Sequence, residues 1–218
     1  MKEQMNNYAE LSGRIVTDPE FSHEYKGEKF YRIMVDSVRK SGTSDVIPVM
    51  VSETFGNINA GMYVLVNGRF SSYNRNTGTA GNRLVLYLFA TEIIILDEEH
   101  IPVLDRNRVL YNGYLCRHPY FRVTPLGREV SDMLIAVHRN YEKSDYIPVI
   151  AWGRNARRVS DYDTGTRLIV EGRMQSRNYN KKQEDGSLME MTAYEVSAGV
   201  IKIAGEADSN GEVHKEES

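Results

Sequence analysis

The chain has 218 residues, 41% of them hydrophobic and 26% charged, and a formal net charge of −3. That composition reads as an ordinary soluble globular chain with room for one large domain or two small ones. No run of eighteen apolar residues exists to span a bilayer as a helix. The N-terminus MKEQMNNYAEL lacks the apolar core of a secretory signal. The single cysteine, Cys116, excludes an internal disulfide and a CxxC metal site and fits a reducing, cytoplasmic compartment.

In chain order, short apolar runs separated by polar and glycine-rich turns predict all-β structure. In the first hundred residues these runs are YAELSGRIV, KFYRIMVDSV, DVIPVMVS, MYVLVNGRFSSY and NRLVLYLFATEIIIL. HEYKGEKF and NRNTGTAGN read as hairpin turns, and ETFGNINAG is the one place for a short helical link between the third and fourth strands. Pro48 and Pro148 lack an amide hydrogen and belong at a strand edge or start. The connection DEEHIPVLDRN (97–107) is short and poor in Gly and Ser, which predicts limited freedom between what precedes and follows it.

The second hundred residues repeat the first. Gly13 matches Gly113, Pro19 matches Pro119, and Ile47-Pro48-Val49 matches Ile147-Pro148-Val149, all offset by 100. Gly61 then matches Gly165, and Gly68-Arg69 matches Gly172-Arg173, offset by 104. Each copy is the size of a complete small barrel, so the repeat predicts two tandem domains, 1–100 and 105–204. A polar, acidic segment, 205–218, follows, with no apolar periodicity and the composition of a disordered tail. Residues 1–104, 105–204 and 205–218 carry net charges of −3, +4 and −4, and 12 of the 16 cations in the middle segment are arginines. Local charge, not the total, governs attraction to a phosphate backbone.

That basic segment is also aromatic. If 146–152 is a strand, alternation places Ile147, Val149 and Ala151 on one face and Tyr146, Pro148, Ile150 and Trp152 on the other. In the next strand Leu168, Val170 and Met174 face one way, and Arg173, Gln175, Arg177 and Tyr179 the other. Aromatics and arginines sharing an outer face form the stacking platform and cationic groove that hold single-stranded nucleic acid.

The order VHRNYEKSD, YIPVIAWG, a short helical link and TGTRLIVEGRMQSRNY resembles the core of the bacterial single-stranded-DNA-binding proteins, over about Asn107 to Ala204. The resemblance implies two tandem OB-folds, five-stranded Greek-key barrels with a short helical link in each. It implies base stacking by Tyr141, Tyr146, Trp152 and Tyr179. Arg139, Arg173 and Arg177 would neutralise phosphates, with Lys181 and Lys182 in the following hairpin tip. In the first copy only Tyr73, and Phe55 displaced along the chain, fall near matching places, beside Arg69 and Arg75; Val46 stands where Tyr146 does. The first copy is thus expected to be divergent, with Tyr25, Tyr31 and Arg32 as further contributors.

The expected partner is single-stranded DNA, bound without strong sequence preference during replication, recombination or repair. The resemblance also implies a homodimer, giving four OB domains. The family's acidic tail commonly ends in an apolar tip that docks partners, whereas this sequence ends HKEES. No phosphate loop, HExxH or GxSxG motif is present, the five histidines have no ligand spacing, and Asp161-Tyr162-Asp163 reads as a solvated loop. No enzyme activity, cofactor or metal is expected. Two rival readings are a primosome or recombination accessory protein, and a protein-interaction module using the Tyr146, Ile150 and Trp152 face with weak DNA binding.

Overall fold

The computed structural model describes residues 6–76, 82–139, 143–182 and 186–205. The first copy contributes β1 (Asn7–Ile15), β2 (Glu20–Tyr25), β3 (Glu28–Val38), β4 (Ser44–Ser52), β5 (Tyr63–Asn76) and β6 (Asn82–Leu96). The second contributes β7 (Asn107–Leu115), β8 (Tyr120–Val123), β9 (Glu129–His138), β10 (Ser144–Trp152), α1 (Arg154–Val159), β11 (Arg167–Lys182) and β12 (Leu188–Ile203). In the first copy the expected helical link is a single 3-10 turn, Glu53–Phe55. The acidic segment lies outside the described residues from 206 onward.

Both copies close in the same way. β1 pairs with β5 along most of its length and then turns to pair with β3 through Arg14 and Ile15. β3, β4, β6 and β5 complete the ring, with β4 and β6 parallel and the remaining neighbours antiparallel. β7, β9, β10, β12 and β11 repeat this order, closing through Tyr114 and Leu115 against β9. This is the five-stranded barrel expected from the sequence. A sixth strand, β2 or β8, extends each barrel at the sheet edge, and neither was among the expected runs. β2 and β3 are joined by Lys26 and Gly27, both at positive φ (53° and 82°), as a two-residue hairpin turn requires.

The repeated glycines have a steric cause. A Cβ on Gly13 would lie 2.1 Å from the Asp36 carbonyl oxygen, and one on Gly113 would lie 2.5 Å from that of Ala136. Both sit where the first strand of a barrel crosses to close it. Gly68 and Gly172 meet the carbonyl oxygens of Phe89 and Ser197 at 2.0 and 2.4 Å, beside a register shift between the last two strands. Pro48 and Pro148 sit mid-strand, not at a strand start. There the second side of β4 or β10 pairs with its parallel neighbour over only two residues, so the strand is half an edge and the missing amide is tolerated.

Inward-facing Ile33, Ile47, Val49, Phe70 and Leu88 fill the first barrel, and Ile135, Ile147, Val149, Leu168 and Val170 fill the second. They belong to one continuous apolar cluster, joined through Ala9, Val109 and Tyr111. The join is a strand pair: β1 runs antiparallel to β7, with Asn7 opposite Tyr111, Ala9 opposite Val109 and Leu11 opposite Asn107. Ala9 faces the residue that matches it in the repeat, so the two copies are related by a local two-fold axis through this pair. Asn7 spans to the backbone of Phe70 (2.9 and 3.1 Å), and its counterpart Asn107 does the same to Met174 (2.9 and 2.8 Å). The connection between copies is pinned as well. The Asp105 carboxylate accepts from the Val38 amide (2.6 Å) and the Ser12 hydroxyl (3.1 Å), and Ser12 exchanges further bonds with Arg106.

Candidate nucleic-acid interface

Cross-strand register defines the outer face of the second barrel. Tyr146, Pro148, Ile150 and Trp152 on β10 lie opposite Ala136, Leu134, Asp132 and Val130 on β9. Ile150 also neighbours Ser197 on β12, which faces Arg173 on β11, and the same row continues through Gln175, Arg177 and Tyr179. Tyr146, Trp152 and Tyr179 remain 43%, 38% and 37% exposed. Three large rings left in water on one face of a barrel that buries its other side completely form a surface with contacts to make. Arg177 places its guanidinium 5.8 Å from the Tyr179 ring and 3.9 Å from Glu195, and is itself mostly exposed. Lys181 and Lys182 are exposed at the end of β11. Tyr141 lies outside the described residues.

Ile150 differs from expectation. It lies on the aromatic face but is only 6% exposed, so that face is not an open apolar strip. Its neighbours include Asp132, which is held by Arg122 at 2.8 Å, and Tyr120, opposite Asp132 on β8, is 65% exposed. Tyr120 extends the aromatic row and was missed because a four-residue strand after a His-Pro pair leaves too little alternation to read.

Two of the expected phosphate ligands are engaged elsewhere. Where the start of β4 meets β11, Asp45 is fully buried and accepts from four donors: both Arg39 nitrogens that face it, Arg173 (2.9 Å) and the Ser176 amide (2.9 Å). The Ser176 hydroxyl in turn accepts from the Val46 amide (3.1 Å). The repeat produces the matching junction where β10 meets β5. Buried Asp145 accepts from Arg139 and from the Ser72 amide (2.5 Å), Arg139 also donates to the Ser72 carbonyl (2.7 Å), and Ser72 Oγ accepts from the Tyr146 amide (2.7 Å). Arg139 and Arg173 thus neutralise buried aspartates between the copies, which removes them from the supply of free cations on the aromatic face.

The second junction is less complete. Asp145 Oδ2, Arg139 Nε, Arg69 Nε, Ser71 Oγ and Tyr111 Oη are all buried without a hydrogen-bond partner. Arg69, the counterpart of Arg173, stacks over the Phe89 ring at 4.8 Å instead of closing on the carboxylate. Burial consequently raises the Asp145 pKa above the ordinary carboxylate value, against the pull of the Ser72 amide and Arg139. The Tyr111 hydroxyl is pushed well up by its own burial, with the Asp145 charge adding to it.

On the first barrel, Tyr73 is 44% exposed and meets Tyr87 edge-on at 5.8 Å. Phe55 is half-buried and packs against the core. Arg75 stands opposite Arg83 across the β5–β6 pair, both exposed. Arg32 is bound to Glu20 at 2.5 Å, Tyr31 packs edge-on against Phe21, and Tyr25 lies on edge strand β2, 62% exposed. Among the described residues no cluster of His, Cys, Asp or Glu has the geometry of a metal site, and no helix is long and apolar enough to cross a membrane.

Residues 106–203 match the model of the single-strand binding protein family. The single-stranded DNA-binding protein of Clostridium tetani is 36% identical over 104 residues, covering 44% of this chain and 69% of that protein. Single-stranded DNA-binding protein A of Bacillus subtilis is 34% identical over 84 residues, 35% of this chain and 49% of that one, so the match spans about half of this relative. The wild-type single-stranded DNA binding protein from Thermus aquaticus superposes with a TM-score of 0.66 over 92% of this chain and 94% of that one at 20% identity, a likeness of the whole two-barrel fold. The chain belongs to the single-strand binding protein family.

Proposed function

We propose that this chain binds single-stranded DNA without strong sequence preference and shields it during replication, recombination or repair. One observation carries the reading: Tyr146, Trp152 and Tyr179 are exposed on one outer face of the barrel that matches the family. Each ring offers a flat surface to any base, worth about 1–3 kcal/mol per stacked base, which is why such binding tolerates sequence. Tyr141 joins them by its place in the sequence, and Tyr120 by its place on the same face. Phosphates are met by Arg177, mostly exposed beside Glu195, and by Lys181 and Lys182 at the end of β11. Units 1–100 and 105–204 act as a divergent and a principal binding domain, two chains associate to present four barrels, and the site of action is the cytoplasm. No cofactor takes part.

Titration with oligo(dT), followed by Trp152 fluorescence at low and high salt with duplex DNA as control, tests this. Deep quenching by single strands alone is expected, weakening with salt at a log–log slope of about −0.7 per phosphate engaged. The quench should be lost in Trp152→Ala, and affinity should fall about tenfold or more in Tyr179→Ala, since 1.4 kcal/mol is a factor of ten. Absence of quenching at low salt would sink the proposal. Light scattering at micromolar concentration tests the assembly, and the mass of one chain would count against the dimer.

A further inference from the structure

A residue of the first copy holds the second-barrel platform from behind. Ser72 lies on β5 and is 3% exposed. All three of its polar groups bond to the second copy. Its amide donates to the Asp145 carboxylate (2.5 Å), its carbonyl accepts from Arg139 (2.7 Å), and its hydroxyl accepts from the Tyr146 amide (2.7 Å). Tyr146 is the third residue of β10 and stands in the exposed aromatic row. Arg139 and Lys143 bracket Tyr141 in the sequence and bond to each other through their backbones at 2.7 Å.

The direction of a side chain follows from the backbone that bears it. A ring that stacks on a base needs that direction held, and hydrogen bonds behind the contacting residues are what hold it. The Tyr146 amide is fixed by a hydroxyl from the other barrel, so the seam between the copies sets the start of β10. The repeat supplies an internal comparison. Ser176, the counterpart of Ser72, donates its amide to Asp45 (2.9 Å) and accepts from the Val46 amide (3.1 Å). The same clamp holds an aromatic position at one junction and an aliphatic one at the other.

We propose that Ser72 is a positioning residue for single-strand binding: by holding the Tyr146 amide it fixes the orientation of the Tyr146 ring. The first barrel thereby acts on the platform of the second without touching the strand at this point. This inference rests on the platform being a single-strand site, and the experiment separates the two.

Full-length parent, Ser72→Ala, Ser176→Ala, Tyr146→Ala and the Ser72→Ala/Tyr146→Ala double variant would be melted and titrated with oligo(dT), following Trp152 fluorescence at one salt concentration. Each serine variant deprives one amide of its acceptor, so both should melt about 2–4 °C below the parent. The backbone bonds of Ser72 to Asp145 and Arg139 remain and keep the junction assembled. Tyr146→Ala should weaken binding about tenfold, the loss of one stacked base. Ser72→Ala should weaken it about threefold to fivefold, a part of the same contribution, and Ser176→Ala by less than about 1.5-fold. In the Tyr146→Ala background Ser72→Ala should cost nothing further, because residues that act through one another are not additive. Amide hydrogen exchange reads the clamp without reference to affinity: the Tyr146 amide should be protected in the parent and exchange faster in Ser72→Ala. Equal effects of the two serine variants on affinity would reduce the clamp to a structural contact and overturn the proposal. So would a Ser72→Ala loss that persists beside Tyr146→Ala, a Tyr146→Ala that binds as the parent does, or a Tyr146 amide unprotected in the parent. Each of those results leaves strand binding by the parent standing, whereas failure of the parent to bind would overturn platform and positioning together.

Discussion

Asp45→Ala tests how the two barrels are locked together. The carboxylate is fully buried and its four donors come from both copies, with Arg173 and Ser176 reaching it across separations of 128 and 131 residues. Removing one partner of a buried ion pair costs about 3–5 kcal/mol, mostly from the charge left behind. Arg39 and Arg173 keep 27% and 33% of their side-chain surface and can turn toward water, which places the loss at the lower end, about 3 kcal/mol. For a chain of this size that corresponds to a fall in Tm of about 6–12 °C. Asp145→Ala removes two donors' worth of bonding from a carboxylate whose other oxygen is already unpartnered, and Arg139 retains the Ser72 carbonyl. Its cost should be about half as large, about 1.5 kcal/mol. Urea denaturation and calorimetry of parent and both variants would measure the two losses. Equal losses, or a larger one at Asp145, would refute the view that donor count at a buried acid sets the strength of each junction.

Gly172→Ala is expected to destabilise the chain by about 3 kcal/mol, because its Cβ would meet a backbone oxygen at 2.4 Å. Gly199→Ala, two positions beyond that oxygen on the neighbouring strand, finds its nearest atom at 3.7 Å and should stay within about 0.5 kcal/mol of the parent in the same melts. Asp145→Asn carries a pH signature. A carboxyl whose pKa is raised by folding keeps a proton that the unfolded chain releases above 3.8. The stability it contributes is therefore full below that value and is lost as pH climbs through the raised one. The parent's margin over Asp145→Asn should be greatest in acid and shrink as pH rises, and a margin growing with pH would contradict the assignment.

Strand alternation made the barrel interior and most of the aromatic face legible in the sequence. Ile147, Val149, Leu168, Val170 and Met174 are buried, and Tyr146, Trp152 and Tyr179 are exposed, as a period of two requires. Ile150 breaks the pattern because burial also depends on neighbouring strands, and no alternation within one strand reveals those. The glycine pairs 13/113 and 68/172 were visible as a repeat, and their meaning, carbonyl oxygens within 2.5 Å of an added carbon, is visible only in three dimensions. The arginines misled for a similar reason. Arg139 and Arg173 sit among aromatics in the sequence, while the acids that bind them emerge at strand starts in the junctions. A signal did exist: Arg39 and Asp45 recur as Arg139 and Asp145 at the repeat offset, and a repeated acid–base pair points to a shared internal contact rather than a surface for phosphate.

The pairing of β1 with β7 has a consequence for how such a chain can change over time. In a symmetric pair of separate single-barrel chains, the residue on the axis meets a copy of itself and every substitution is made twice. Here the axis passes between Ala9 and Val109, two different residues, and Leu11 is matched by Tyr111 within the same core. Joining the copies in one chain frees each position to vary alone. The costs of mutation then fall on one barrel at a time, and two copies related by a two-fold axis can be specialised into unequal halves without loss of the seam between them.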